Sequence, residues 1–232
     1  SKYVILAGDD DQAIYGWAGA DVKKFQNEPA KKDIILPYSH RVPKQVQNIA
    51  NKILERIPDS RRIKKSWKAR DEEGRVDYIT SIEDTPLYEG DWLILARTND
   101  RLNKIKPLLR EMGIYFQFKN RKSYKASLFR SITNYTRWAD RKARLSLTEI
   151  KDIFDCIPCD NFGVKEERLY DLKEFGFSHT ERWFDVFTVD PEECLYIREM
   201  LRHQEDLSKD ARVKLSTIHS AKGGEATNVL LI

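Results

Sequence analysis

Residues 92–113 have the sequence WLILARTNDRLNKIKPLLREMG, and this stretch decides the fold that we predict. The apolar run Trp92–Ala96 is typical of a strand that is buried on both faces. The spacing of the apolar residues that follow predicts a helix over Asn99–Met112, with Asn99 as its N-terminal cap and Gly113 directly after it. A buried strand that leads straight into a helix is the repeating unit of an α/β sheet.

The same alternation extends outward from this stretch. Further candidate strands are apolar and rich in β-branched residues: Val4–Ala7, Asp33–Leu36 and Val213–Thr217, with weaker candidates at Arg75–Thr80 and Asn228–Leu231. A helix is predicted over Val42–Ile57, where apolar residues recur on one face and Pro43 stands at a favourable early position. Strands that alternate with helices predict an α/β fold, with a parallel sheet flanked by helices.

The strand signals fade between about Phe118 and Asp210. Helical patterns take their place at Tyr124–Trp138, Leu147–Phe154, Lys165–Phe175 and Pro191–His203. Ser146 or Thr148, together with Glu149, provides a helix start. We therefore expect a small helical insertion that interrupts the α/β part of the chain.

Composition limits the class of protein. Of 232 residues, 41% are hydrophobic and 34% are charged, which is typical of a globular protein and not of a disordered one. The net charge of +4 permits a polyanionic partner without requiring one. The basic run Arg61–Lys68 is most simply a solvated loop or helix end. No run of 18 apolar residues occurs, so we expect no transmembrane helix.

The three cysteines argue against a secreted disulfide scaffold and favour a reducing compartment. Cys156 and Cys159 form a C-x-x-C pair, which with His179 and Cys194 would be one way to build a zinc site. A strong zinc pattern has a second close pair, and this sequence has none. We therefore interpret the cysteines as ordinary thiols and predict no metal site.

Residues 4–21, VILAGDDDQAIYGWAGAD, carry the first chemical pattern. A strand that runs into three aspartates suggests either metal ligands at a nucleotide site or a plain acidic turn. The whole string resembles motif III of the superfamily 1 DNA helicases of the UvrD, PcrA and Rep type, apart from Ala18, where the family often has arginine. The resemblance implies that Gln12 contacts the terminal phosphate of ATP or orients water, a catalytic role. It also implies that bases of single-stranded DNA stack on Tyr15 and Trp17.

Residues 34–51, IILPYSHRVPKQVQNIAN, resemble motif IV of the same family. Arg41 falls on the family's arginine, whose rigid fork suits a triphosphate oxygen and gives it a catalytic role. His40 stands where the family usually has a tyrosine that stacks on adenine. Residues 92–99, WLILARTN, resemble the segment called IVa, which implies that Arg97 and Asn99 contact DNA phosphates.

Residues 213–231, VKLSTIHSAKGGEATNVLL, resemble motif V, with Gly224 in place of the usual leucine. The resemblance implies that Thr217 and His219 hold a DNA phosphate. It also implies that backbone amides near Gly223 approach the nucleotide and that Glu225 accepts a hydrogen bond from its sugar. A catalytic dyad of His219 and Glu225 is an unfavourable alternative, because no nucleophile stands nearby in the sequence.

Together these motifs imply two RecA-like domains of the P-loop NTPase type. We expect residues 1–25 to end the first domain, 26–117 to begin the second, 118–210 to form the helical accessory insertion, and 211–232 to return to the second domain. The phosphate-binding pattern G-x-x-x-x-G-K-[ST] does not occur. We therefore expect an internal fragment, from motif III to motif V, of a longer parent that supplies most of the contacts to ATP and Mg²⁺.

The implied activity of the parent is ATP-driven 3′–5′ translocation on single-stranded DNA with unwinding of the duplex, and the fragment alone is expected to lack ATPase activity. Two alternatives remain at this point: a non-catalytic, helicase-derived nucleic-acid-binding module, and a subunit of a helicase-nuclease. The expected partners are single-stranded DNA and single/double-strand junctions, with no membrane. The expected location is the cytoplasm of a bacterial or phage-infected cell, in association with the nucleoid.

Overall fold

The computed structural model describes residues 4–158 and 163–232, and the chain divides into unit 1, Ser1–Asp84, and unit 2, Thr85–Ile232. Unit 1 contains two α-helices, α1 (Val22–Gln26) and α2 (Lys44–Leu54), and short 3₁₀ turns at Asp10–Gln12, Gly16–Ala18, Asp59–Arg61 and Ile82–Asp84. Helix α2 confirms the predicted helix with a shorter span, because Pro43 lies in the extended conformation and starts the helix from outside.

The strands predicted in unit 1 were wrong. Residues 4–7, 33–36 and 75–80 have no strand conformation, and their apolar side chains are largely exposed, with Ile5 91% and Leu36 77% accessible. The reason is that a strand requires a neighbour to accept and donate the ladder hydrogen bonds. Within the described part of unit 1, the only β-type pairing is an isolated parallel bridge between Tyr38 and Lys68.

Unit 2 is built on a five-stranded sheet. Its strands are β1 (Trp92–Ala96), β2 (Phe116–Phe118), β3 (Arg121–Lys122), β4 (Val213–Thr217) and β5 (Asn228–Leu231), in the order β3-β2-β4-β1-β5. The predictions for β1, β4 and β5 are confirmed at the residue level. The sheet is mixed and not purely parallel, because β2 and β3 pair antiparallel.

The antiparallel pair follows from its two-residue turn. Lys119 and Asn120 both have positive φ, 51° and 60°, which is the conformation that joins tight hairpins. Asparagine tolerates this conformation better than most residues. The sheet therefore continues through Lys122, and the first residues after 117 belong to a hairpin rather than to a helix.

The helices of unit 2 are α3 (Asn99–Glu111), α4 (Ala126–Arg141), α5 (Leu147–Phe154), α6 (Trp183–Val186) and α7 (Pro191–Arg202). Asn99 was wrongly predicted as the cap of α3: Thr98 has the extended backbone of a cap, and its side chain accepts from the N–H of Arg101. The predicted start of α5 is confirmed, since Ser146 and Glu149 form a capping box.

The helix predicted over 165–175 is wrong for most of its length. Only Leu172–Phe175 is helical, as a 3₁₀ turn. Asp171 and Glu174 form a capping box that starts the turn, and Gly176, with φ of 88°, ends it. A start signal and a stop signal only five residues apart leave no room for a longer helix.

The helices after β3 share one aromatic and aliphatic core. Trp138, Tyr135, Ile150 and Met200 are buried in it, and the Trp138 Nε1–H donates to Asp171 Oδ1 at 2.8 Å. Tyrosine hydroxyls fasten this core to the sheet region, since the Tyr196 hydroxyl donates to the carbonyl of Ile114 at 2.7 Å. No helix in residues 4–158 or 163–232 has both the length and the apolar character that crossing a bilayer requires.

Candidate functional site

The carboxyl ends of β1 and β4 form one edge of the sheet. The two strands pair in parallel with Ala96 opposite Thr217, and the N–H of Ile218 donates to the carbonyl of Ala96 at 3.0 Å. Arg97 is exposed directly after β1, and His219 is half-buried two residues after the end of β4. The structure therefore brings two segments, separated by more than a hundred residues of sequence, to adjacent positions.

The chain after β4 folds into two consecutive turns. The Thr217 hydroxyl donates to Ser220 Oγ at 2.9 Å and accepts from the Ser220 N–H at 3.2 Å. The N–H of Ala221 donates to the carbonyl of Thr217 at 3.0 Å, and the N–H of Gly224 donates to that of Ala221 at 2.9 Å. Thr217 thus stabilises the turn that carries His219, because its hydroxyl makes both of these hydrogen bonds to Ser220.

Gly223 has φ of 85° and is exposed, with no heavy atom within 4 Å of the position that a Cβ would occupy. Only its backbone conformation, and not lack of space, requires glycine. Glu225 is exposed two residues later. The exposed backbone around Gly223 leaves room for a ligand to approach closely.

Asn99 is the first residue of α3 and is exposed. Because Thr98 caps the helix, the Asn99 amide is not used as the cap. The side chains of Arg97 and Asn99 are therefore both at the start of a 13-residue helix, where the helix dipole favours negative charge.

In unit 1, Gln12 ends the 3₁₀ turn Asp10–Gln12. Its Nε2 donates to Asp9 Oδ2 at 2.5 Å, so the side-chain amide is hydrogen-bonded to a residue of the same motif. Trp17 is 77% exposed, and its ring centroid lies 6.3 Å from that of Tyr15. Two neighbouring aromatic faces, one of them open to solvent, can accept stacked bases.

His40 and Arg41 are exposed in the segment before α2. The His40 ring packs edge-on against Tyr38, with 4.8 Å between centroids. The Ser39 hydroxyl accepts from the N–H groups of Arg41 and Val42, at 3.3 and 3.1 Å, which shapes the turn that leads into the helix. The residues predicted to bind ATP are thus divided between the two units: Gln12, His40 and Arg41 in unit 1, Gly223 and Glu225 in unit 2.

The aspartate run of unit 1 contacts two side chains of the basic run Arg61–Lys68. The Lys65 ammonium pairs with Asp9 at 2.9 Å and Asp11 at 3.0 Å, and it also contacts Asp10. Arg62 donates two hydrogen bonds of 2.9 Å to the two oxygens of Asp11. The Arg62 and Lys65 side chains are only 14% and 18% exposed, so the interpretation of the basic run as a solvated loop was wrong for these two residues.

The protonation of Asp10 reflects this cluster. Burial alone would raise its pKa, but hydrogen bonds from Lys65, from the Ile63 N–H and from Gln26 outweigh burial and lower the pKa to about 2. The three aspartate oxygens lie within 4.8 Å of one another. Because the Lys65 ammonium lies among them, the chain itself supplies the positive charge that a metal ion would bring.

The possible zinc ligands can be located only in part, since Cys159 lies outside the described residues. Cys156 and Cys194 are thiols without a disulfide bond, and burial raises the pKa of each. His179 is stacked on Trp138, with 4.2 Å between ring centroids. A raised pKa opposes the thiolate form that binds metals.

No family model matches the chain. Individual proteins do match it. The ATP-dependent DNA helicase PcrA of Staphylococcus epidermidis is 24% identical over 233 aligned positions, which is 87% of this chain and 31% of that protein. PcrA of Staphylococcus aureus strain Mu50 is 29% identical over 85 positions, covering 35% of this chain and 12% of that protein.

These similarities support the resemblance of the chain to superfamily 1 helicases of the UvrD/PcrA type. The match to the Staphylococcus epidermidis protein covers most of this chain but only about a third of the length of that relative.

Proposed function

We propose that this chain is the part of an ATP-dependent DNA helicase that holds single-stranded DNA along the carboxyl edge of β1 and β4. The observation that carries the proposal is the parallel pairing of Ala96 with Thr217, which puts Arg97 and His219 on one edge. Arg97 and Asn99 would bind phosphates from one side, and the turn fixed by Thr217 would present His219 from the other. Ligands gather at the carboxyl ends of strands in open α/β sheets.

Unit 1 has its own proposed DNA contacts, in which Tyr15 and Trp17 stack on bases. Stacking on aromatic side chains contributes about 1–3 kcal/mol per base and tolerates any sequence. This tolerance suits a motor that moves along DNA of arbitrary sequence. The proposed partners are accordingly single-stranded DNA and its junctions with duplex, and the proposed location is the bacterial cytoplasm.

ATP is the proposed cofactor, together with Mg²⁺. Arg41 and Gln12 would contact phosphate oxygens, His40 the adenine ring, and Gly223 and Glu225 the phosphate and sugar from the motif V loop. Gly223 fits this role because its loop is exposed and open at the Cβ position. The aspartate cluster does not fit Mg²⁺, since Lys65 lies among the carboxylates, so we assign the metal to the longer parent. In the longer parent, hydrolysis of the bound ATP would supply the free energy for 3′–5′ translocation and unwinding. The 232 residues alone would not hydrolyse ATP.

Binding of a fluorescently labelled oligothymidylate to the 232-residue chain, followed by anisotropy across a salt series, tests the DNA-binding edge. We expect Arg97→Gln and His219→Ala to weaken binding, and Arg97→Gln to reduce the slope of log K against log salt by about 0.7, the value for one phosphate on a single strand. Arg202→Gln is the matched control, because Arg202 pairs with Glu199 on α7. If the chain binds the oligonucleotide tightly and neither Arg97→Gln nor His219→Ala weakens binding, the carboxyl edge of β1 and β4 is not the DNA-binding site.

Hydrolysis measured in a longer parent tests the motor itself. We expect ATP turnover that single-stranded DNA stimulates, and we expect Gln12→Ala and Trp17→Ala to lower the stimulated rate. DNA binding without any turnover by a folded parent would contradict the motor and leave a nucleic-acid-binding module.

A further inference from the structure

Two lysines converge on one aromatic ring beside the proposed DNA-binding edge. The Lys106 ammonium on α3 lies 3.7 Å from the centroid of the Phe118 ring. The Lys119 ammonium, in the turn between β2 and β3, lies 5.2 Å from the same centroid. We call Lys106, Phe118 and Lys119 the Phe118 patch.

Within residues 4–158 and 163–232, the positive charge of this patch has no ion-pair partner. Among the ion pairs of the described residues none includes Lys106 or Lys119, and the Lys106 ammonium donates to the neutral amide of Asn103 at 2.8 Å. Burial and the nearby charge of Lys119 lower the pKa of Lys106. A ring face attracts cations by about 0.5–1 kcal/mol at an exposed site, but it carries no net charge. The patch therefore concentrates two like charges that an anion would neutralise.

The patch lies near the carboxyl ends of the parallel strands, as the proposed DNA contacts do. Phe118 ends β2, which pairs in parallel with β4 and places Phe118 opposite Leu215, two residues before Thr217. From the rise along a strand and the spacing between strands, the Cα atoms of Phe118 and Thr217 are about 8 Å apart. A DNA strand that crosses the ends of β1 and β4 would next reach β2.

We propose that Lys106 and Lys119 together bind a phosphate of that DNA strand, with Phe118 holding the two ammonium groups side by side. This inference rests on the proposed function, because it extends the same binding edge by one strand. Lysine acts on a phosphate as a point charge with no geometric preference. The contact would therefore add affinity without sequence preference and would depend on salt.

The salt dependence of oligothymidylate binding by the 232-residue chain tests the patch. The variant with both Lys106→Gln and Lys119→Gln should lower the magnitude of the slope by about 0.7, the value for one phosphate on a single strand, and each single variant should lower it by less. Lys104→Gln is the matched control: Lys104 lies on the same helix, but its ammonium already pairs with Asp100 at 3.0 Å. We expect its slope to equal that of the unaltered chain.

The outcomes separate the patch from the edge. An unchanged slope in the double variant, while Arg97→Gln still reduces it, would overturn the patch and leave the proposed function intact. An equal loss from Lys104→Gln would also overturn it, because any surface lysine would then count. If the unaltered chain does not bind DNA at all, the proposed function fails first and the patch fails with it.

Discussion

Arg212 joins three parts of unit 2 directly before β4, and Arg212→Met measures how much this junction stabilises the unit. The guanidinium pairs with both oxygens of the Glu205 carboxylate. It also donates to the carbonyls of Leu87 and Gly90, at 3.3 and 2.9 Å. One side chain thus connects the segment before β1 with the end of the helical region.

The expected magnitude follows from what the substitution leaves behind. The Glu205 side chain is only 3% exposed, whereas 30% of the Arg212 side chain remains accessible. Removing one partner of a buried ion pair costs about 3–5 kcal/mol, since the other charge stays buried without compensation. Because water reaches part of Arg212, we expect the lower end, about 3 kcal/mol.

Urea unfolding of the chain, followed by the fluorescence of the tryptophans buried in unit 2, measures this loss. With a urea dependence of about 2 kcal/mol per molar, the transition midpoint should fall by about 1.5 M. Arg202→Met is the control, since an exposed pair between helix neighbours contributes about 0.5 kcal/mol or less.

A second substitution decides whether the buried charge is the cause. Adding Glu205→Met to Arg212→Met removes the uncompensated carboxylate, so we expect recovery of a large part of the lost stability. If the double variant is less stable than Arg212→Met alone, packing and not charge holds this junction. If Arg212→Met behaves like the Arg202 control, the junction contributes nothing measurable.

Two further predictions concern single hydrogen-bonding groups. Tyr196→Phe leaves the Ile114 carbonyl without the hydroxyl that donates to it, while the aromatic ring stays buried. Thermal unfolding should therefore show that the free energy of unfolding falls by about 1–3 kcal/mol. An unchanged melting temperature would mean that water replaces the hydroxyl. Asp10, with its pKa lowered to about 2, stabilises the folded state above the pKa of an unfolded aspartate, about 3.9, and this contribution disappears as the pH falls towards 2. Urea unfolding between pH 6 and pH 2 should therefore show a weaker loss of stability for Asp10→Asn than for the unaltered chain, and parallel curves would contradict the role of Asp10.

The sequence predicted three of the five strands of unit 2, β1, β4 and β5, and missed the short strands β2 and β3. Strands β1 and β4 occupy the residues that their apolar runs indicated, and each has parallel neighbours on both sides. Val4–Ala7 has an equally strong strand pattern, yet it has no strand partner within the described residues. An apolar run shows that a segment suits a sheet, but the ladder hydrogen bonds come from elsewhere in the chain.

Local choices between similar residues were harder to predict. Thr98 and Asn99 are both good helix caps, and only the backbone, extended at Thr98, decides between them. The turn at Lys119 and Asn120 contains no glycine, so the usual hairpin signal is missing. The first error shifts a helix boundary by one residue, and the second omits the hairpin that makes the sheet mixed.

The candidate site divides in the same way. Arg97 and His219 could be expected at one edge, because parallel strands share their carboxyl ends. The contact of Lys65 with Asp10 spans 55 residues, and the Phe118 patch joins a helix to a hairpin turn. Neither leaves a periodic pattern in the sequence, since each depends on how distant segments pack.

In the proposed function, the DNA contact at His219 and the nucleotide contact at Glu225 share one short connection. Consecutive turns link them, through the hydrogen bonds from Ala221 to Thr217 and from Gly224 to Ala221. A nucleotide can change DNA affinity only if it binds two arrangements of the chain with different affinity. The turns after β4 offer such an element, since two hydrogen bonds connect Gly224, beside the exposed Gly223, to Thr217, which begins the turn that carries His219. Strand β4 itself stays fixed in the sheet through its pairing with β1.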